Sequence, residues 1–385
     1  MSWKHAFSRS TGRAGAPLHF AAHSHHPWPD VTFAAHAQVW EDAAGSLDRK
    51  WDAIFGEIIP EAQRHIARTL RLPAPETIAF APNTHALVLR ILSCFPANRP
   101  IRVLTTDSEF HSFSRQIARL EEEGAAAVTR IAAEPPGSFA DRFARAAARG
   151  GHDLVFFSDV FFNSGYWVRD CAAIVAAVRE AETFVVIDGY HSFLATPADL
   201  SGIAGRAFYL AGGYKYAMAG EGVCFLHCPP GYGARPRDTG WFAEFGDLAE
   251  RKAGHVGYAR DASRFSGATF DPSGLYRLNA VMRWLLEEGL TTAGMLDYAH
   301  ALQRAFVAQL TPKGRLQESD LAVGLSDPRG RFLTFRTEDA QPLQKELAAV
   351  NILTDARGDR LRIGFGIYHD ESDLARLASA ITERG

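Results

Sequence analysis

A chain of 385 residues with 47% hydrophobic and 22% charged side chains has the composition of an ordinary globular protein, which excludes disordered and fibrous classes and leaves enough apolar residues for a large core. The formal net charge is −3 and Lys and Arg are scattered along the chain, so no basic face is offered to a polyanion and nucleic acid is not an expected partner. Residues 1–15 lack the apolar segment of a secretory signal and no later apolar run is long enough to span a bilayer, so no membrane partner and a cytoplasmic location are expected.

Residues 1–50 read as an N-terminal arm and a Trp-containing helix over 36–52, which could pack with either of the two domains that follow. Over 51–272, apolar runs of strand length at 101–105, 153–157, 184–187, 207–211 and 223–227 alternate with helical patterns at 111–123, 139–149 and 170–180. That alternation predicts a large α/β domain with a mostly parallel sheet and helices on both faces. Only residues 212–222 separate the last two runs, too few for a crossover helix, which predicts an antiparallel pair there. From 273 to 385 the pattern changes to helices at 273–288 and 292–310, then a strand at 332–336, a helix at 342–350, a strand at 360–364 and a closing helix at 370–381: a smaller α+β C-terminal domain. The four cysteines, Cys94, Cys171, Cys224 and Cys228, show no CxxC pairing and read as reduced thiols in or near the core.

Three segments carry chemistry. Ala81-Pro-Asn-Thr-His85 leads into a helical run, with Asn83 or Thr84 as N-cap and free N–H groups able to hold a phosphate; simple capping is the commoner use of such a pattern. The buried-strand run Phe184-Val-Val-Ile-Asp188 ends in a carboxylate and is followed by His191, at the carboxyl end of a strand where ligands of open α/β sheets lie. Asp188 there could hold a protonated pyridine nitrogen, or it could cap a turn. Lys215, inside Ala211-Gly-Gly-Tyr-Lys-Tyr-Ala-Met-Ala-Gly-Glu-Gly222, sits among small and aromatic neighbours whose partial burial would lower its pKa, as a lysine attacking an aldehyde requires. A different class of reading takes His23-Ser-His-His26 as a metal cluster, but adjacent His25 and His26 do not share a face with His23 on a regular strand, and no carboxylate or Cys stands at ligand spacing.

The stretch 153–245 resembles the aminotransferase class V group of fold type I enzymes dependent on pyridoxal 5′-phosphate (PLP), and within it is most similar to kynureninase. The likeness is carried by Asp188 and His191, by Tyr214-Lys-Tyr216 and by Gly240-Trp-Phe242, and more weakly by Phe20-Ala-Ala-His-Ser24, Ser108-Glu-Phe-His-Ser112 and Leu361-Arg-Ile-Gly364. It implies that Lys215 carries PLP, that Asp188 binds the pyridine nitrogen with His191 near that carboxylate, and that Phe110 stacks on the ring. It further implies phosphate contacts from Asn83, Thr84 and Tyr214, a substrate carboxylate held by Arg362, a substrate contact at Ser24, and a homodimer in which Trp241 reaches the partner's phosphate region. The activity it implies is hydrolysis of the Cβ–Cγ bond of a β-acyl amino acid, with a class V aminotransferase as the alternative. Two departures bear on that choice. The proton-transferring tyrosine of kynureninases is missing from Val160-Phe-Phe-Asn-Ser-Gly165, and their aryl-recognising Asn-Pro is replaced within 266–272. A cysteine desulfurase is disfavoured because no cysteine follows Cys228.

Overall fold

The computed structural model describes residues 2–250 and 254–382. Its strands are β1 (Leu18–His19), β2 (Ile78–Ala81), β3 (Ile101–Thr106), β4 (Ala126–Ile131), β5 (Leu154–Ser158), β6 (Phe184–Asp188), β7 (Ala207–Gly212), β8 (Cys224–His227), β9 (Phe332–Arg336), β10 (Ile352–Leu353), β11 (Asp355–Arg357) and β12 (Arg360–Gly364). The helices used below are α1 (Val31–Ser46), α2 (Lys50–Ala53), α3 (Ile59–Leu70), α4 (Thr84–Leu92), α5 (His111–Glu122), α6 (Phe139–Ala147), α7 (Cys171–Ala177), α8 (Ser273–Glu287), α9 (Thr292–Val307), α10 (Ala340–Ala349) and α11 (Glu371–Thr382).

Seven strands form the main sheet in the order β2-β8-β7-β6-β5-β3-β4, and only β8 runs against its neighbours. The expected antiparallel pair after Gly212 is therefore present as β7 and β8. The inner strands β5 and β7 are buried along their whole length, as parallel strands covered on both faces must be. Their side chains alternate between two apolar clusters: Val155, Phe157 and Tyr209 face one layer, whereas Leu154, Phe156 and Phe208 face the other. Strand β4 escaped the sequence reading because it lies at the sheet edge, where Ala-Ala-Val-Thr-Arg-Ile is largely solvent-facing and lacks an apolar run. Strand β2 escaped it by being only four residues long.

The C-terminal strands β11-β12-β9 form a second, antiparallel sheet, and α9, α10 and α11 pack with it in a separate cluster that also takes Leu18 and Phe20 from the arm. Helix α8 contributes Leu275, Leu278, Val281 and Trp284 to the core of the large sheet instead. No helix among the described residues is long and apolar enough to cross a membrane.

Two local features set the site. After Asp188 the chain passes so close to Tyr209 that a Cβ on Gly189 would collide with its ring and hydroxyl. The loop carrying Lys215 is tied down by the buried Arg277 of α8, whose Nε donates to Ala219 O at 2.7 Å and Nη2 to Glu221 O at 2.6 Å. The same guanidinium lies 4.7 Å over the ring of Trp28 in the arm.

Candidate active site

The carboxyl ends of β3, β5, β6 and β7 open on one cavity of about 170 Å³, and seven of the residues singled out from sequence line it: Asn83, Thr84, Phe110, Asp188, His191, Tyr214 and Lys215. They arrive from four strand ends, Asn83 and Thr84 after β2, Phe110 after β3, Asp188 and His191 at β6 and Tyr214 and Lys215 after β7, which is how an open α/β sheet assembles a ligand site. At one end Asn83 caps α4, its Oδ1 accepting from Ala86 N at 2.9 Å. Capping and anion binding are compatible there, because the other first-turn N–H groups of a helix lack intrahelical acceptors and Pro82, Asn83, Thr84 and His85 form that wall.

Lys215 is 3% exposed, and its Nζ meets His191 Nε2 at 2.7 Å. The rings of Tyr190, Phe110 and Tyr214 surround it at 4.6, 4.9 and 5.6 Å from their centroids. Burial pulls its pKa down to about 7, with Asp188 acting against and Arg362 adding to the shift. His191 is held well below the ordinary histidine value by burial and then by the Lys215 charge. It was expected beside the Asp188 carboxylate; the hydrogen bond it makes is to Lys215.

Asp188 Oδ1 accepts from Tyr190 N at 2.9 Å. Burial raises the carboxyl's pKa, while the Tyr190 N–H and the Lys215 charge lower it. Two further buried carboxyls flank it. Glu109 accepts from Thr106 Oγ1 and is 2.6 Å from Ser158 Oγ, and Asp159 accepts from Ser192 Oγ at 2.6 Å. Burial, with the neighbouring Asp188 adding to it, pushes both up to about 7. Sequence reasoning assigned neither a role. Ser158, which lines the cavity, carries the same signal that exposed Asp188: a polar residue ending an apolar strand.

Three predicted residues stand outside the cavity wall. Ser24 lies on the arm, its Oγ 3.3 Å from Nδ1 of His25, whose ring stacks on Tyr214 at 5.0 Å. Trp241 is 42% exposed and packs on Phe242 and Phe245. Arg362 is buried beyond Phe162, with Nη1 donating to Phe162 O at 2.5 Å and Nη2 paired with Asp355.

The histidines of the arm diverge. His23 stacks on Phe332, His25 on Tyr214, and His26 meets Tyr216 and Tyr368 edge-on. Among the described residues no group of three or more His, Cys, Asp and Glu could hold a metal ion. Cys224 reaches the cavity, but burial pushes its thiol up to about 12 and keeps it protonated.

A buried lysine of lowered pKa, a helix N-terminus for a phosphate, an aromatic ring and a carboxyl with no fixed cation other than that lysine fit PLP. The comparisons agree. The family profile "Aminotransferase class-V" matches residues 29–377. Isopenicillin N epimerase of Streptomyces clavuligerus is 28% identical over 332 residues, 80% of each chain. Among solved structures, a variant of C-DES with glycine covalently linked to its PLP aligns over the whole of both chains with a TM-score of 0.81 at 19% identity. The cysteine desulfurase CsdA of Escherichia coli aligns over 95% of this chain and 94% of its own, at 0.78 and 15%. The relatives named are an epimerase and C–S bond enzymes, so the finer likeness to kynureninase rests on its motifs alone. The chain belongs to the aminotransferase class-V family, as an α/β fold type I enzyme that uses pyridoxal 5′-phosphate to act on an amino acid.

Proposed function

We propose that this enzyme removes and returns the Cα proton of its amino-acid substrate and that its reaction is a transamination. The observation that carries the reading is the 2.7 Å contact between Lys215 Nζ and His191 Nε2 at the cavity wall. When bound, PLP supplies an electron sink for negative charge developing on Cα. Lys215, with its pKa near 7, is the base that accepts the proton and hands it back, and the neutral His191 orients the amine. Asp188 would keep a proton on the ring nitrogen, first-turn N–H groups of α4 would take the phosphate, and Phe110 would cover the ring.

Hydrolysis of a Cβ–Cγ bond needs an additional acid, and the phenol that kynureninases carry is absent at Phe162 and Asn163, of which Phe162 lines the cavity. Of the two phenols on the wall, Tyr190 Oη lies 3.5 Å from Cys224 Sγ, and the ring of Tyr214 is stacked under His25. Phe162→Tyr is expected to raise cleavage of a β-acyl amino acid by about tenfold or more, because a positioned general acid contributes at least that much. Exchange of the Cα proton with deuterated solvent should stay within about twofold of wild type, since general acid–base work at Cα falls to Lys215.

Epimerisation is the second reading, favoured by the 28% identical epimerase. A panel of amino acids with NMR and absorbance detection separates the three. Transamination yields a keto acid and the amine form of the cofactor; epimerisation yields the Cα epimer with the cofactor unchanged. Cleavage of a β-acyl amino acid by wild type at a rate matching its Cα exchange would overturn the proposal.

Arg362 is the proposed anchor for the substrate carboxylate, since a guanidinium fork matches it with two hydrogen bonds. Arg362→Lys should weaken every amino-acid substrate roughly tenfold or more, a loss above about 1.4 kcal/mol. The cofactor's own absorbance should not change. Equal dissociation constants in wild type and variant would remove Arg362 from the site.

A further inference from the structure

Arg362 is not free to take a ligand. Nη2 is paired with Asp355, its register partner across β11 and β12; Nη1 donates to Phe162 O at 2.5 Å; Nε is buried with no partner. A fork suited to one carboxylate already holds one. A second carboxylate would place two anions on one guanidinium in a buried setting, where uncompensated charge is costly.

His23 stands where compensation is needed. It is fully buried and stacked on Phe332 with 4.7 Å between centroids, and its Nε2 lies 3.7 Å from Asp355 Oδ2, yet neither ring nitrogen makes a hydrogen bond. A Cβ on Gly364 would run into its Nδ1, so the ring has been given room at that spot by a glycine of β12. The charged and titratable groups around it are Asp355 of β11, Arg362 of β12, Lys215 and His191; Asp355 additionally meets Arg357 at 3.6 Å.

We propose that Asp355 is an internal stand-in for the substrate carboxylate, holding the fork of Arg362 in place until an amino acid displaces it onto His23, which takes a proton from solvent in the exchange. The proposal rests on Arg362 being the carboxylate anchor. Charge decides the proton count. Before binding, Arg362 and Asp355 cancel and His23 is neutral: burial pulls it down to about 3, Asp355 acts against this and Arg362 adds to it. Asp355 stays ionised: burial pushes its carboxyl up, but the pairing with Arg362 holds it well below the usual carboxylate range. After binding, substrate and Arg362 cancel, and Asp355 is left as an unpaired buried anion unless His23 becomes cationic. Uptake of one proton keeps the cluster neutral. Asp355 and His23 are thus positioning residues that act through Arg362.

Propionate, a carboxylate that has no amino group to join the cofactor, is the probe. It is titrated calorimetrically into holoenzyme at neutral pH in buffers of different ionisation enthalpy, which counts the protons exchanged. Wild type should take up about one proton per propionate by linkage, and His23→Asn close to none. Asp355→Asn should bind propionate roughly tenfold more tightly, because an internal competitor for the fork is gone. Weaker binding by Asp355→Asn, or no uptake by wild type, would overturn the inference and leave Asp355 as a plain support for Arg362. Should Asp355→Asn not fold, the proton counts of wild type and His23→Asn decide alone. Unchanged propionate affinity in Arg362→Lys would instead remove the anchor itself, an outcome distinguishable from the others.

Discussion

Lys215→Ala is expected to abolish turnover and the covalent attachment of PLP while leaving a folded protein. Borohydride reduction followed by peptide mass analysis should place the pyridoxyl group on Lys215 in wild type and on no residue in the variant. Folding should survive because the lysine is a cost to the folded state: it is buried among three rings, and its amine is pulled from the ordinary 10.5 to about 7. The sign of the pH dependence follows. Between about pH 7 and 10.5 the unfolded chain binds a proton on this amine that the folded chain does not, so the stability of the cofactor-free wild type rises with pH across that window. Lys215→Ala should lack that component of the slope. Retention of a reducible adduct in the variant would assign the cofactor to another lysine.

Asp188→Asn is expected to lower turnover by several powers of ten with little change in folding. Losing a charge-assisted contact costs about 1.5–3 kcal/mol, which is roughly one to two powers of ten. The remainder comes from the ring nitrogen, which a neutral amide does not keep protonated, so the electron sink is weakened at the bond-breaking step. The amide retains an oxygen to accept from Tyr190 N, as Asp188 Oδ1 does. Wild-type turnover in Asp188→Asn would reduce Asp188 to a turn residue.

The parts of the site legible in the sequence stand at the ends of periodic runs. Asp188 ends Phe-Val-Val-Ile and Lys215 follows Ala207–Gly212, whereas Asn83 is legible as the cap of the helical run of α4. Strand ends in a parallel sheet converge, so neighbours in space could be inferred from similar positions in separate segments. Contacts made across the fold left no such trace. Asp355 and Arg362 face each other only because β11 and β12 pair in one register, and His23 reaches them because the arm runs beside Gly364. The histidines of the arm drew notice as a possible metal cluster, a reading based on their closeness in sequence, whereas their side chains serve three different surroundings. Glu109 lies within Ser108-Glu-Phe-His-Ser112, but its burial against Ser158 depends on β3 and β5 being adjacent.

The tether made by Arg277 gives the enzyme an optical property. The loop that carries Lys215, helix α8 and the indole of Trp28 meet at one guanidinium, and breaking either of its bonds to Ala219 O or Glu221 O would cost about 1.5–3 kcal/mol. A loop movement that broke either bond would shift the cation lying over that indole. Trp28 also packs directly against Gly220 of the same loop. One of the chain's seven tryptophans thus lies against the loop of the cofactor lysine, both through the Arg277 guanidinium and directly at Gly220, while standing outside the cavity wall.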